Sequence, residues 1–156
     1  MPAPEPRLRL AVQFASAADN LPGRAQIRRW VAAALERDAE ITVRLVDAAE
    51  AQALNQDYRR KDYVPNVLTF EYGELPASKP GARVLAGDVV ICAPVVAREA
   101  REQQKPLHHH YAHMTVHGVL HLQGYDHLEA AAADIMETRE AVILKRFRIP
   151  NPYLPR

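Results

Sequence analysis

The stretch from His113 to His127, HMTVHGVLHLQGYDH, carries four imidazoles in fifteen residues and a single carboxylate, Asp126. His113, His117 and His121 recur every four residues, so on a helix they stand one turn above another along one face. Neighbouring rings on such a face can turn nitrogens toward a common point and hold one metal ion, with zinc–nitrogen bonds of about 2.0 Å. All three cannot share an ion comfortably, because eight residues separate His113 from His121, a rise of about 12 Å. Gly124 lets the chain double back near the helix C-terminus, beside His121 rather than His113, and brings His127 within reach. The expected ligands are therefore His117, His121 and His127, in the pattern H-x3-H-x5-H.

Three neutral imidazoles with an open fourth position describe a catalytic zinc site, one ion per chain, since structural zinc usually has four protein ligands, often thiolates. The plainer alternative is a polar helix face of buried, hydrogen-bonded histidines. His113 is expected beside the ligands, supporting them or facing substrate. The run His108, His109 and His110 has no ordered partner spacing and is expected to be exposed at the helix start. Gly118 stands where peptidases of the H-E-x-x-H kind keep a glutamate as general base, so peptide hydrolysis loses its usual proton acceptor. The best outside candidate to assist hydrolysis is Arg59, in NQDYRRKDYVPNVLTF, because a guanidinium matches phosphate oxygens and stabilises charge developing on them. Arg60 and Lys61 beside it, together with His113, are candidates for substrate binding.

The elements that must position these groups follow from hydrophobic period. Leu8, Leu10, Val12 and Phe14 alternate as in a half-buried strand, and Ile41, Val43 and Leu45 do so again. Ile27, Trp30, Val31, Ala34 and Leu35 recur at helical spacing. Asp47 suits the N-cap of a second helix through Ala49, Ala53 and Leu54. Residues 65–72 and 83–92 read as two more strands, with Gly73, Pro76, Pro80 and Gly81 in the loop between them. Pro94 fits the first turn of a helix toward Gln104, and Pro106 precedes a longer helix over residues 107–122, with Ala112, Thr115, Val116, Val119 and Leu122 as its apolar stripe. Asp126 and Glu129 have capping-box spacing before a last helix that turns Ile135, Met136, Val142, Ile143 and Phe147 inward.

Strands and helices without strict alternation predict an α+β fold: one domain over residues 1–156, a mixed sheet of about four strands and about five helices packed on it. The single cysteine, Cys92, cannot pair internally and reads as a small core residue, and with no signal-peptide pattern the expected compartment is the cytoplasm. Each apolar run is interrupted by charge well short of the roughly 20 residues a bilayer requires, which sets membrane insertion aside. A net charge of +1 gives little long-range attraction for a polyanion, so any nucleic-acid partner must be drawn by local patches such as Arg59, Arg60 and Lys61.

HGVLHLQGYDH closely resembles the signature of the bacterial YbeY family of single-strand-specific metallo-endoribonucleases. ITVRLVDAAEAQALNQDYRRKD, NVLTF, GDVVICAPVVAREA and the closing NPY are similar to the family in the same order, so the likeness spans nearly everything from Glu40 onward. It implies zinc on His117, His121 and His127, a required arginine matching Arg59, and a fold with the histidine helix and turn of metzincin-type peptidases. It also implies single-stranded and ribosomal RNA as substrates, the small ribosomal subunit as partner, and a role in maturing the 3′ end of small-subunit ribosomal RNA and in ribosome quality control. Arg60, in a place expected to hold glycine, and Val64-Pro65 before Asn66 depart from the pattern and predict a different loop path after Arg59. Two rival functions are a zinc peptidase or amidase, and a non-catalytic ribosome assembly factor in which metal only fixes the C-terminal helices. Oligomeric state is not legible in the sequence.

Overall fold

The computed structural model describes residues 5–76, 81 and 83–154. Along the chain lie β1 (Leu8–Ala15), α1 (Arg24–Ala34), β2 (Ala39–Val46), α2 (Ala48–Arg59), β3 (Val67–Pro76), β4 (Arg83–Cys92), α3 (Ala93–Glu102), α4 (Leu107–Leu122) and α5 (Ala130–Lys145). The strands form one mixed sheet in the order β1-β2-β4-β3. β1 and β4 run parallel to β2, and β3 closes one edge antiparallel to β4. This is the expected α+β architecture with four strands and five helices.

Alternation along the strands assigns the two faces. Ile41, Val43 and Leu45 of β2 and Leu85, Val89 and Ile91 of β4 face the main core, shared with α1, α4 and α5. Val46, Leu68, Val90 and Cys92 face a smaller core under α2 and α3, where burial also pushes the Cys92 thiol up. α4 crosses the main face at close range because two glycines make room. A Cβ on Gly118 would sit 2.6 Å from Val89 Cγ1, and one on Gly87 would sit 2.7 Å from Leu122 Cδ2.

Several expectations are corrected by tertiary context. β3 does not end at Tyr72 but runs through Gly73 to Pro76, because a register shift between Glu71 and Glu74 lets Gly73, at φ +78, take up an extra residue as a bulge. An edge strand tolerates the proline; Pro80 lies outside the described residues. Phe14 is 51% exposed at the end of β1. Asp47 occupies the N-cap position of α2, yet its carboxylate accepts the Ser16 hydroxyl and the Ala17 N–H instead of capping, and these bonds hold its carboxyl below the usual range. α2 buries Ala51 and Asn55 rather than Ala49 and Ala53, with Leu54 half-buried. α5 starts at Ala130, three residues later than an Asp126 cap would place it, and buries Met136, Glu140, Ile143 and Leu144. Ile135 and Val142 point outward. Among the described residues no helix is long and apolar enough to cross a membrane.

Candidate functional site

α4 is the centre of the molecule. It packs on the sheet on one side and against α1, α3 and α5 on others. From His110 to Leu122 every residue is buried except two, His117 and His121. The helix therefore has two windows one turn apart, both occupied by imidazoles.

The residues after α4 explain how the chain returns beside those windows. Gly124 at φ +102 ends the helix as a Schellman turn, with its N–H donating to the His121 carbonyl (3.0 Å) and the Tyr125 N–H to the Leu120 carbonyl (3.2 Å). The Gln123 amide pins this end to α1: its Nε2 donates to the Ala34 carbonyl at 2.8 Å and its Oε1 accepts the Glu36 N–H at 2.7 Å. The Tyr125 hydroxyl adds a 2.6 Å bond to Glu36, which raises the phenol's pKa. Asp126 Oδ1 accepts the N–H groups of His127 (2.7 Å) and Leu128 (3.1 Å), so the side chain expected to cap α5 shapes the turn that carries His127. The His127 ring centroid then lies 5.1 Å from that of His117 and 6.2 Å from that of His121.

His117, His121 and His127 line one groove of about 670 Å³, together with Arg59, Asn66, Thr69, Arg98, Glu99 and Asp126. The first strand residues of β3 form its floor and α3 one wall. His121 Nδ1 lies 3.2 Å from the Tyr125 carbonyl oxygen, which can only accept, so Nδ1 carries the proton and Nε2 keeps its lone pair. His117 Nδ1 lies 3.3 Å from Glu140 Oε2. Of the basic candidates after α2, Arg59 reaches the groove, whereas Arg60 and Lys61 are exposed and outside its lining. Arg60 has φ +58 and ψ +31, the left-handed conformation that favours glycine, and closes α2 as its C-cap.

The N-terminal half of α4 is closed. His110, expected to be exposed, is 2% exposed because Glu99 of α3 supplies a carboxylate 2.9 Å from its Nε2. Burial lowers the His110 pKa, the Glu99 bond opposing it. Asn66 donates to both Glu99 oxygens, at 3.2 and 3.3 Å, and accepts the Val67 N–H at 2.7 Å. His113 is 7% exposed and is not part of the groove; it lines a second cavity of about 520 Å³ under residues 149–154. Its Nε2 lies 2.9 Å from Glu140 Oε2 and 3.1 Å from the Tyr153 hydroxyl, which donates to Glu140 Oε1 at 2.7 Å. His113, His117 and Glu140 bring one ligand atom each within 4.8 Å of one another, a cluster that could bind a metal ion. Burial alone would raise the Glu140 carboxyl; the hydrogen bonds and charge of His113 and His117 outweigh it and hold the group at about 2.

Glu99, Arg98, Glu140 and Tyr153 are the residues that the sequence patterns missed. For Glu140 a signal existed: it sits four residues after Met136 and three before Ile143, a carboxylate inside the buried stripe of α5, where a charge survives only with partners.

The sequence model of one family, Endoribonuclease YbeY, matches residues 16–148. An Endoribonuclease YbeY of Thiobacillus denitrificans is 78% identical over 148 residues, covering 95% of this chain and 97% of its own. Another, of Aromatoleum aromaticum, is 55% identical over 150 residues, covering 94% and 93%. The solution structure of a Thermotoga maritima protein shares the fold, with a TM-score of 0.52 over 90% of this chain and 91% of that one at 22% identity. On the extent of these matches, the chain belongs to the YbeY endoribonuclease family.

Proposed function

We propose that this protein is a zinc-dependent endoribonuclease that cuts single-stranded RNA in the groove lined by Arg59, His117, His121 and His127. The observation that carries the reading is the pair of openings on an otherwise buried stretch of α4, with His127 returned beside them by the Gly124 turn. The donor set suits zinc: three imidazoles, two with Nδ1 already engaged, leave room for a non-protein ligand on the groove side. Zinc held there supplies Lewis acidity toward the phosphodiester.

The chain's own groups do the rest. Arg59 takes the non-bridging phosphate oxygens in a two-pronged contact and stabilises charge as it builds on them. Arg98, on the α3 wall of the same groove, offers a second cation for the neighbouring phosphate. A flexible single strand bends its backbone into a groove of this kind, whereas a duplex does not. Position 118 offers no place for a peptidase glutamate, because Val89 already crowds a Cβ there. The names of the relatives support RNA as substrate. The motif resemblance extends the reading to the 3′ end of small-subunit ribosomal RNA and to ribosome quality control, and the single unpaired cysteine fits a reducing cytoplasm.

The test is cleavage of unstructured RNA by purified protein with and without chelator, beside His117→Ala and Arg59→Ala. Activity in the wild type that chelation and either substitution abolish supports the assignment. Equal cleavage by all three proteins rejects it.

A further inference from the structure

We propose that Glu140 is the positioning residue of the zinc site, holding His117 in the ring state that offers Nε2 to the metal, with Tyr153 completing its support. The inference rests on the zinc reading above. Glu140 is fully buried on α5, and its two oxygens meet three groups: His117 Nδ1 and His113 Nε2 at Oε2, and the Tyr153 hydroxyl at Oε1. A carboxylate only accepts, so the shared proton of the His117 contact resides on Nδ1 and the lone pair on Nε2, the nitrogen on the far side of the ring. An imidazole free to change tautomer presents the right nitrogen only part of the time; a carboxylate behind it removes that loss and raises its basicity toward metal.

The two windows of α4 solve this problem differently. His121 uses the Tyr125 backbone carbonyl, which no substitution removes. His117 depends on a side chain, and that side chain depends on others, since a carboxylate buried this deeply is costly unless each oxygen is paired. His113 and Tyr153 are those partners. Tyr153 is fixed in turn by its N–H, which donates to Asn151 Oδ1 at 2.9 Å. The segment after α5 thereby belongs to the metal site although it does not line the groove.

The first measurement uses metal-free wild-type protein, in which imidazole nitrogen NMR shifts report the tautomer of each ring. His117 protonated on Nδ1 is the expected result, and protonation on Nε2 overturns the inference. Glu140→Gln is expected to give His117 mixed tautomers and to weaken zinc binding, read by competition with a chromophoric chelator, by about ten- to a hundredfold. Tyr153→Phe keeps the ring and removes the hydroxyl, and it is expected to weaken zinc several-fold; an unchanged affinity removes Tyr153 from the support. If Glu140→Gln does not fold, the wild-type tautomer and Tyr153→Phe decide. Zinc retained by His121→Ala but lost from Glu140→Gln would place the ion in the buried cluster and overturn the proposal. Wild-type protein that takes up no zinc while His117 holds its proton on Nδ1 sinks the zinc reading and not the ring assignment; zinc uptake with the proton on Nε2 does the reverse.

Discussion

The two halves of α4 carry the same residue type at nearly the same spacing and put it to different uses. His110 and His113 in the first half are buried, each with Nε2 2.9 Å from a carboxylate, Glu99 or Glu140. His117 and His121 in the second half open onto the groove. The difference does not lie in the helix. α3 brings Glu99 over the first half and α5 brings Glu140 between His113 and His117, while the groove beside β3 leaves the outer side of the second half uncovered. A histidine ladder read from sequence thus identifies a face, and the neighbouring elements decide which rungs are accessible.

The largest expected effect breaks the comparison at its open end. His121→Ala should lose zinc and slow RNA cleavage on the order of a thousandfold, which is about 4 kcal/mol of transition-state stabilisation. The metal-free variant should unfold in urea close to the metal-free wild type. His110→Ala should do the opposite, keeping its zinc stoichiometry while losing about 2–4 kcal/mol of stability, because Glu99 is left part-buried without its ring partner. Zinc lost from the His110 variant would show that the halves are not separate.

That separation was only partly legible in the sequence. The convergence of His117, His121 and His127 on one groove follows from local signals, a four-residue period and a glycine that permits a positive φ, and local signals are what a sequence states directly. Whether His110 is covered depends on Glu99, eleven residues away on another helix, and no period records that contact. The strands were readable because alternation survives packing; the bulge at Gly73 was not, since it depends on the register with β4. On α5 the hydrophobic pattern placed Ile135 and Val142 inward, but Glu140 was needed inside by two histidines and a tyrosine, and the helix is rotated to deliver it.

Acid should expose the closed half next. The Glu140 carboxyl lies at about 2 in the folded protein, against 4.5 as the ordinary value. A depressed folded-state pKa stabilises the fold fully above about 4.5, and that contribution is lost as pH falls toward 2. The difference amounts to about 3 kcal/mol in the metal-free protein. Urea midpoints measured from pH 5 down to 2 should fall more steeply for wild type than for Glu140→Gln, by about one proton's worth of slope. Parallel slopes would contradict the network. Gly118→Ala tests the floor under both halves: the new methyl meets Val89 at 2.6 Å, so a cost of about 1–3 kcal/mol is expected in the same unfolding assay.

The smallest effect is expected at His108, which sharpens the comparison because it lies only two residues from His110. His108 is exposed in the first turn of α4, with its ring against that of His109 at 4.6 Å. Alanine is the better helix former, and among the described residues the exposed ring has no buried partner to lose. His108→Ala should therefore leave stability within about 0.5 kcal/mol of wild type. Zinc content should stay at one ion per chain. A lower zinc content in that variant would mean that the exposed start of the helix also binds metal, and access alone would no longer separate the histidines that serve the groove from those that do not.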